Sequence, residues 1–145
     1  MDIGCGSGYM TACMSEIMGP NTITIGIDHI EDIIKFAVEN VNKKNPYLFE
    51  NGRLKLIKAD GRKGFKDFEP YDVIHVGGAL AVVPKELEDQ LACGGRMWIP
   101  VGTQGRQSIY LVDKDLNGKI TNKKLLDVAY GLLTTVENQL QQSLY

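Results

Sequence analysis

Residues 2–8 read Asp-Ile-Gly-Cys-Gly-Ser-Gly, and this stretch decides how the rest of the chain is interpreted. Glycines at 4, 6 and 8 leave no Cβ between the backbone and a ligand, and they permit the positive φ angles of a tight turn. The next candidate strand alternates isoleucines 23, 25 and 27 with smaller residues and ends in Asp28, 20 residues after Gly8. A glycine turn followed by an acid at the end of the next strand is typical of a nucleoside site, in which the carboxylate accepts the ribose hydroxyls.

The spacing of the glycines indicates which nucleoside is bound. A dinucleotide fingerprint needs a third glycine three places after the second, where helix and strand lie close together. Counted from either pair of glycines, that place holds Tyr9 or Thr11. This loop therefore suits a ligand whose centre is an amino-acid-bearing sulfonium better than one with a pyrophosphate. The sequence predicts S-adenosyl-L-methionine as the cofactor, and it counts against a dehydrogenase.

Length and composition limit the class of protein. A chain of 145 residues makes one domain, and its hydrophobic content of 43% is ordinary for a globular protein. A net charge of −2 gives no basic surface for nucleic acid or an anionic membrane. Three cysteines offer no disulfide framework, and two histidines are too few for an obvious metal site. We expect a cytoplasmic monomer with no membrane or nucleic-acid partner and no metal.

Strand and helix patterns alternate along the chain. Residues 10–18 and 30–41 have helical spacing, and the methionines of the first helix are expected to face the sheet. Strands are predicted at 23–28, 54–59, 72–76 and 97–101, with weaker candidates at 108–112 and 125–133. This order predicts an α/β fold with a doubly wound, mostly parallel sheet and helices on both faces. The loops after Ile3, Ile27, Ala59 and Val76 should then meet at the carboxyl edge of the sheet.

Several longer stretches carry a resemblance to a known family. The chain resembles protein-L-isoaspartate O-methyltransferases in DIGCGSGYMTA (2–12), GIDHI (26–30), DGR (60–62), YDVIHVG (71–77), GGRMWIPVG (94–102) and YGLLTTVENQ (130–139). The resemblance implies a Rossmann-like class I methyltransferase that uses S-adenosyl-L-methionine. It also implies the reaction, which is methylation of the free carboxylate of L-isoaspartyl residues in damaged proteins and peptides.

The positions within these motifs imply contacts with the cofactor. The resemblance implies that the first loop lies against the methionine part, the end of the second strand against the ribose, the Asp-Gly pair against the adenine, and the C-terminal motif on the cofactor side. The residues implied at the methionine part are Asp2, Gly4, Cys5, Gly6 and Gly8, and those at the ribose are Asp28 and His29. Asp60 and Gly61 are implied at the adenine, and Thr134 and Gln139 belong to the C-terminal motif. Two alternatives stay open: His29 as a helix residue without a ligand, and Asp60 as part of an ordinary turn. No catalytic residue is assigned, because a carboxylate acceptor is already ionised at neutral pH.

A first strand of about five residues is expected before the glycine turn, but only Met1, Asp2 and Ile3 precede it here. The resemblance to the family also implies an upstream segment with a Ser or Thr and a His. We therefore expect residues 1–145 to be the S-adenosyl-L-methionine-binding domain of a protein that is incomplete at this end. Two other functions remain open. One is a cofactor-binding, catalytically impaired homologue, and the other is a methyltransferase acting on another carboxylate. Methyl transfer to an isoaspartyl peptide and to its aspartyl twin would separate the three.

Overall fold

A computed structural model describes residues 1–142 of the chain. Within this range no helix is long and apolar enough to cross a membrane. A short 3-10 helix covers Lys66–Phe68. The other elements are β1 (Asp2–Ile3), α1 (Tyr9–Met18), β2 (Thr24–Asp28), α2 (Glu31–Asn42), α3 (Tyr47–Glu50), β3 (Leu54–Lys58), β4 (Tyr71–Val76), α4 (Lys85–Gln90), β5 (Leu91–Thr103), β6 (Arg106–Lys114), β7 (Ile120–Val128) and α5 (Val136–Gln142).

All seven strands form one sheet in the order β3-β2-β1-β4-β5-β6-β7. Strands β1 to β5 run parallel, whereas β6 and β7 are antiparallel to their neighbours. The chain builds outward from β1 in one direction and then returns to its other side with β4. The junction of β1 and β4 is therefore the point at which the strand order reverses, where open α/β sheets bind their ligands. The predicted mostly parallel α/β sheet is confirmed.

The two faces of the sheet bury different sets of side chains. Alternation along each strand places Ile3, Ile27, Ile74 and Met97 in the main core, together with Leu87 of α4. A second, smaller core holds residues of α1, α2, α3 and β3, namely Ala12, Val41, Leu48 and Leu54. Because helices supply side chains to both cores, the central strands are covered on both sides, as a parallel sheet requires.

The prediction that the methionines of α1 face the sheet was wrong for Met10 and Met18, whereas Met14 is half-buried. The buried residues of this helix are Thr11, Ala12 and Ser15, whereas Met10, Ile17 and Met18 are exposed. The reason is the close approach of α1 to β2. A Cβ added to Gly26 would lie only 2.8 Å from Thr11 Cγ2, so only small side chains fit between this helix and the strand.

Other differences concern element boundaries. A short helix that begins at Pro84 and is closed by Gly94 and Gly95 is also expected from the sequence, but β5 begins directly after α4, so both glycines lie inside a strand. The predicted strand at 125–133 is observed as β7, which begins and ends five residues earlier at Ile120–Val128. Helices α3 and α5 are short, and neither has a distinct pattern in the sequence. Residues 129–135 instead leave β7 at the carboxyl edge of the sheet and run along that edge, where Leu132 pairs with Ala79.

Candidate functional site

The loops that follow β1, β2, β3 and β4 meet around one cavity of about 340 Å³. This volume is in the range of sites for small organic ligands, about 300–1,000 Å³. The predicted convergence of these loops is confirmed. The wall is formed by the end of β2, the four loops, α2, the segment between β7 and α5, and α5 itself: Gly4, Gly6, Asp28, His29, Ile33, Asp60, Gly61, Gly77, Gly78, Gly131, Leu132, Leu133, Thr134 and Gln139.

The glycine loop after β1 presents bare backbone to this cavity. Gly4 and Gly6 have φ angles of 74° and 52°, which only glycine adopts without strain. The amides of Gly4 and Cys5 both donate to the carbonyl of Ile27, at 2.9 and 3.0 Å, so the loop is held to the end of β2. Across the cavity floor, Gly77 donates its amide to the Ile3 carbonyl at 2.8 Å. The loops after β1 and β4 are thus tied together directly beneath the ligand space.

Asp28 and His29 lie between β2 and α2: Asp28 is the last residue of β2, and α2 begins at Glu31. The amide of Ile30 donates to Asp28 Oδ1 at 3.2 Å, which orients the carboxylate at the start of the helix. Asp28 lines the cavity although it is only 9% exposed, so little of its surface is in contact with bulk water. His29 Nε2 lies 2.6 Å from Gln139 Oε1, and this contact joins the residues just before α2 to α5. His29 therefore takes part in the cavity wall.

Asp60 is held by its neighbour Arg62. The Arg62 guanidinium donates from Nε to Oδ1 at 2.9 Å and from Nη2 to Oδ2 at 2.8 Å, and the Arg62 amide donates to Oδ1 at 3.1 Å. These hydrogen bonds from Arg62 lower the pKa of the Asp60 carboxyl below its ordinary value. Asp60 thus contributes an ionised, oriented carboxylate to the cavity wall.

The last part of the wall comes from residues 130–134, which are fixed by contacts distant in sequence. The amide of Ala79 donates to the Gly131 carbonyl at 2.8 Å, and the amide of Leu133 donates to the Ala79 carbonyl at 2.9 Å. The buried Gln107 side chain holds Tyr130 on both sides, accepting from its amide at 2.5 Å and donating to its carbonyl at 3.0 Å. These bonds bring Thr134 and Gln139 to the same cavity as the glycine loop.

Three residues that the sequence indicated as ligand contacts lie behind the wall. Asp2, Cys5 and Gly8 are buried and do not line the cavity. Asp2 is 1% exposed; its carboxylate accepts from Thr11 Oγ1 at 2.5 Å and is bound to His75 Nδ1 at 2.8 Å. A Cβ on Gly8 would lie 3.1 Å from Ala37 Cβ, so this glycine serves the contact between α1 and α2. The contact of Asp2 with the methionine part of the cofactor stays a prediction; in the structure the Asp2 carboxylate supports the loop from below, with His75 as a hydrogen-bonded partner.

The burial of Cys5 predicts its chemical reactivity. Loss of solvent, with the nearby charges of Asp28 and Asp2, raises the pKa of the Cys5 thiol to about 12. Since the thiolate is the reactive form, we expect Cys5 to resist iodoacetamide in the folded protein at pH 8, while the exposed Cys93 is alkylated. Peptide mapping by mass spectrometry over a time course measures both. Alkylation of Cys5 at the rate of Cys93 before unfolding would contradict the placement of this loop.

Some wall residues were not singled out from the sequence as ligand contacts. Gly77 and Gly78 follow the strand β4, and their position after a buried strand was the signal that could have identified them. A Cβ on Gly78 would lie 2.8 Å from Leu133 Cγ, so this glycine allows the 130–134 segment to approach. Ile33 and residues 131–133 carried no such signal in the sequence. Residues 131–133 reach the cavity because long-range hydrogen bonds to Ala79 hold them there.

A second cavity of about 340 Å³ lies at the opposite edge of the sheet, below the amino ends of β2 and β4. Its wall is formed mainly by apolar side chains such as Met14, Ile23 and Tyr71. It holds no cluster of oriented polar groups comparable to Asp28, Asp60 and the glycine loop. Among residues 1–142, no group of three or more His, Cys, Asp or Glu side chains is placed to hold a metal ion. The carboxyl-edge cavity is therefore the candidate site.

Comparison with known proteins gives a consistent result. A family model described as Protein-L-isoaspartate(D-aspartate) O-methyltransferase (PCMT) matches residues 1–138. Relatives named protein-L-isoaspartate O-methyltransferase are 44% identical over 140 residues in Caenorhabditis elegans and 41% identical over 144 residues in Triticum aestivum. These matches cover 96% and 99% of this chain, and the chain spans 62% of the length of each relative.

A solved structure from Plasmodium falciparum is similar as well. It is described as a protein-L-isoaspartate O-methyltransferase in complex with S-adenosyl-L-homocysteine. It superposes with a TM-score of 0.82 at 30% identity, over 92% of this chain and 64% of that one.

Proposed function

Because the chain belongs to the protein-L-isoaspartate(D-aspartate) O-methyltransferase family, we propose that it methylates the free carboxylate of L-isoaspartyl residues, with S-adenosyl-L-methionine as methyl donor. The observation that carries this proposal is the meeting of the loops after β1 to β4 at a single cavity with Asp28 and Asp60 in its wall. The substrates are isoaspartyl-containing proteins and peptides.

The residues of the cavity fit a nucleoside joined to an amino acid. Gly4 and Gly6 leave the backbone bare, which suits the methionine part of the donor, with Cys5, Gly8 and Asp2 supporting the loop from behind. Asp28 would accept the ribose hydroxyls, with His29 and Gln139 beside it. Asp60, with the backbone of Gly61, would meet the adenine edge, since a carboxylate accepts an amino group. Thr134 completes the wall on the α5 side.

When bound, the donor supplies an electrophilic sulfonium methyl group. In the transfer, the bond from sulfur to methyl breaks as a carboxylate oxygen forms a bond to the methyl, which gives a methyl ester and a neutral thioether. The acceptor carboxyl has an ordinary pKa of about 4 and is ionised at neutral pH, so no general base is required. The work of the protein is to bind, to exclude water and to hold the oxygen in line at about 3 Å.

The proposal extends to the form of the protein. We propose that residues 1–145 are the donor-binding domain and that the protein acts as a cytoplasmic monomer. A net charge of −2 supports the absence of a nucleic-acid partner.

Two measurements test the proposal separately. Calorimetry with S-adenosyl-L-homocysteine and with NAD tests the cavity, and we expect binding of the first and none of the second. Transfer of labelled methyl to an isoaspartyl peptide and to its aspartyl twin tests the reaction, and we expect the label on the isoaspartyl peptide alone.

Each outcome has one interpretation. NAD binding tighter than S-adenosyl-L-homocysteine would overturn the donor assignment. Donor binding without transfer to either peptide would favour the cofactor-binding, catalytically impaired homologue. Equal labelling of both peptides, or labelling of another carboxylate in preference, would indicate a different methyl acceptor.

A further inference from the structure

Arg62 makes the most extensive side-chain contact with a residue of the cavity wall, although it is not itself part of that wall. Its side chain is 38% exposed, and that of Asp60 is 27% exposed. Surface ion pairs of this kind contribute little to stability. A two-pronged contact held also by the Arg62 amide constrains geometry more than it stabilises the fold.

The hydrogen bonds leave Asp60 with a defined acceptor capacity. An ionised carboxylate offers about four acceptor positions, two on each oxygen. Arg62 uses both positions of Oδ1, with its amide and Nε, and one position of Oδ2, with Nη2. A single position therefore remains, and it lies on Oδ2. A ligand in the cavity meets one oriented acceptor, and not a carboxylate free to rotate.

We propose that Arg62 is a positioning residue that sets the preference of this site for adenine over purines with a carbonyl at position 6. This inference rests on the proposed donor binding and adds the determinant of base specificity. Adenine carries an amino group at position 6, which donates to the remaining acceptor of Asp60. Hypoxanthine carries a carbonyl oxygen there, and two facing acceptors cannot form a hydrogen bond.

Charge around the pair supports the same assignment. The hydrogen bond to Asp60, with the negative charges of Asp60 and Glu137, raises the pKa of the Arg62 guanidinium. Hydrogen bonds from its own backbone and from Thr135 lower the pKa of the Glu137 carboxyl, and His29 and Arg62 contribute to this to a smaller extent. Glu137 belongs to α5, which also carries Gln139 to the cavity wall. Arg62 therefore lies close both to Asp60 and to the helix that carries Gln139.

The test compares two ligands on each variant. Calorimetry gives the affinities of S-adenosyl-L-homocysteine and S-inosyl-L-homocysteine, which differ at the base. We expect the wild-type protein to prefer adenine by about tenfold or more, the value of one hydrogen bond to a charged group. For Arg62→Met the preference should fall below about threefold. Arg62→Lys keeps the charge but loses the two-pronged geometry, so its preference should fall as well.

Two further variants serve as references. Arg96 forms a similar two-pronged contact with Asp113 on β5 and β6, at 2.6 and 3.2 Å, and neither residue lines the cavity. Arg96→Met makes the same chemical change there and should leave the base preference unchanged. Asp60→Asn replaces the acceptor directly and should abolish the preference for adenine, which shows that the ratio reports on residue 60.

The outcomes separate this inference from the proposed function. If the wild-type protein does not bind S-adenosyl-L-homocysteine, the proposed function fails. If it binds and prefers adenine, but Arg62→Met and Arg62→Lys keep that preference within twofold, Arg62 does not position Asp60 and the inference is overturned. The inference is also overturned if Arg62→Met loses the preference for adenine but Arg62→Lys keeps it in full, since a positive charge at residue 62 would then be enough to produce the preference.

Discussion

Replacing Asp28 by alanine is expected to weaken the binding of S-adenosyl-L-homocysteine by about 2–3 kcal/mol, which is roughly 30- to 150-fold. Asp28 is buried at the end of β2, its Oδ1 is oriented by the Ile30 amide, and its side chain faces the cavity. Alanine removes the charged acceptor that two ribose hydroxyls would use. Calorimetric titration of the variant and of the wild-type protein measures the difference.

Asp115 provides the matched control for this substitution. Its carboxylate also accepts backbone amides, from Asn117 at 2.8 Å and Lys119 at 2.9 Å, in the turn between β6 and β7. Asp115→Ala thus removes a turn-forming acid outside the cavity wall and should leave the affinity unchanged. An Asp28→Ala protein that is folded and binds within threefold of the wild type would remove Asp28 from the site.

Replacing Asp2 by alanine is expected to lower the free energy of unfolding by about 2–3 kcal/mol, the usual cost of leaving buried hydrogen-bonding groups without their charged partner. The substitution leaves the fully buried Thr11 hydroxyl and His75 Nδ1 without their partner below the glycine loop. Denaturation by urea measures the change. The free energy of unfolding of a whole domain is about 5–15 kcal/mol, so the effect should be large.

Asp127 provides an exposed control, which shows whether the loss of stability in Asp2→Ala comes from burial or from hydrogen bonding alone. It accepts from Ser108 Oγ at 2.7 Å and pairs with Lys124 at 2.7 Å, but its side chain is 80% exposed. Asp127→Ala should therefore leave the free energy of unfolding nearly unchanged, because exposed ion pairs contribute little to stability. An Asp2→Ala protein that loses no more than this control would show that the carboxylate contributes little beneath the loop.

The Asp2→Ala variant also tests whether Asp2 supports the glycine loop or contacts the ligand directly. Because the Asp2 carboxylate lies outside the cavity wall, folded Asp2→Ala protein should bind S-adenosyl-L-homocysteine more tightly than Asp28→Ala does. The opposite order would return Asp2 to the position of a direct ligand contact, as its place in the glycine motif first indicated.

Much of the fold and part of the site could be predicted because their signals are local. The alternation of Ile23, Ile25 and Ile27 predicts a strand that ends at Asp28, and β2 ends there. A glycine turn after a buried strand needs no distant partner to be recognised. Once the strands are known to be parallel, the meeting of the loops after β1, β2, β3 and β4 follows from geometry.

Other features depended on contacts that a linear pattern does not contain. Helix α1 has apolar residues at helical spacing, yet it turns Thr11, Ala12 and Ser15 inward, because Gly26 brings β2 too close for larger side chains. Likewise the strand pattern at 125–133 predicted one continuous strand, whereas β7 ends at Val128 and the residues after it leave the strand. Hydrogen bonds from Ala79 and Gln107 decide that path.

The residues by themselves determined the sheet, its carboxyl-edge site and the acid at the end of β2, since each follows from neighbours within a few positions. The tertiary structure alone decided which polar groups line the cavity. It turned Asp2 inward to Thr11 and His75, and it left Asp60 one free acceptor beside Arg62. The reason is that a buried carboxylate must be satisfied by whatever donors the fold brings near, and those donors are chosen by packing rather than by spacing in the chain.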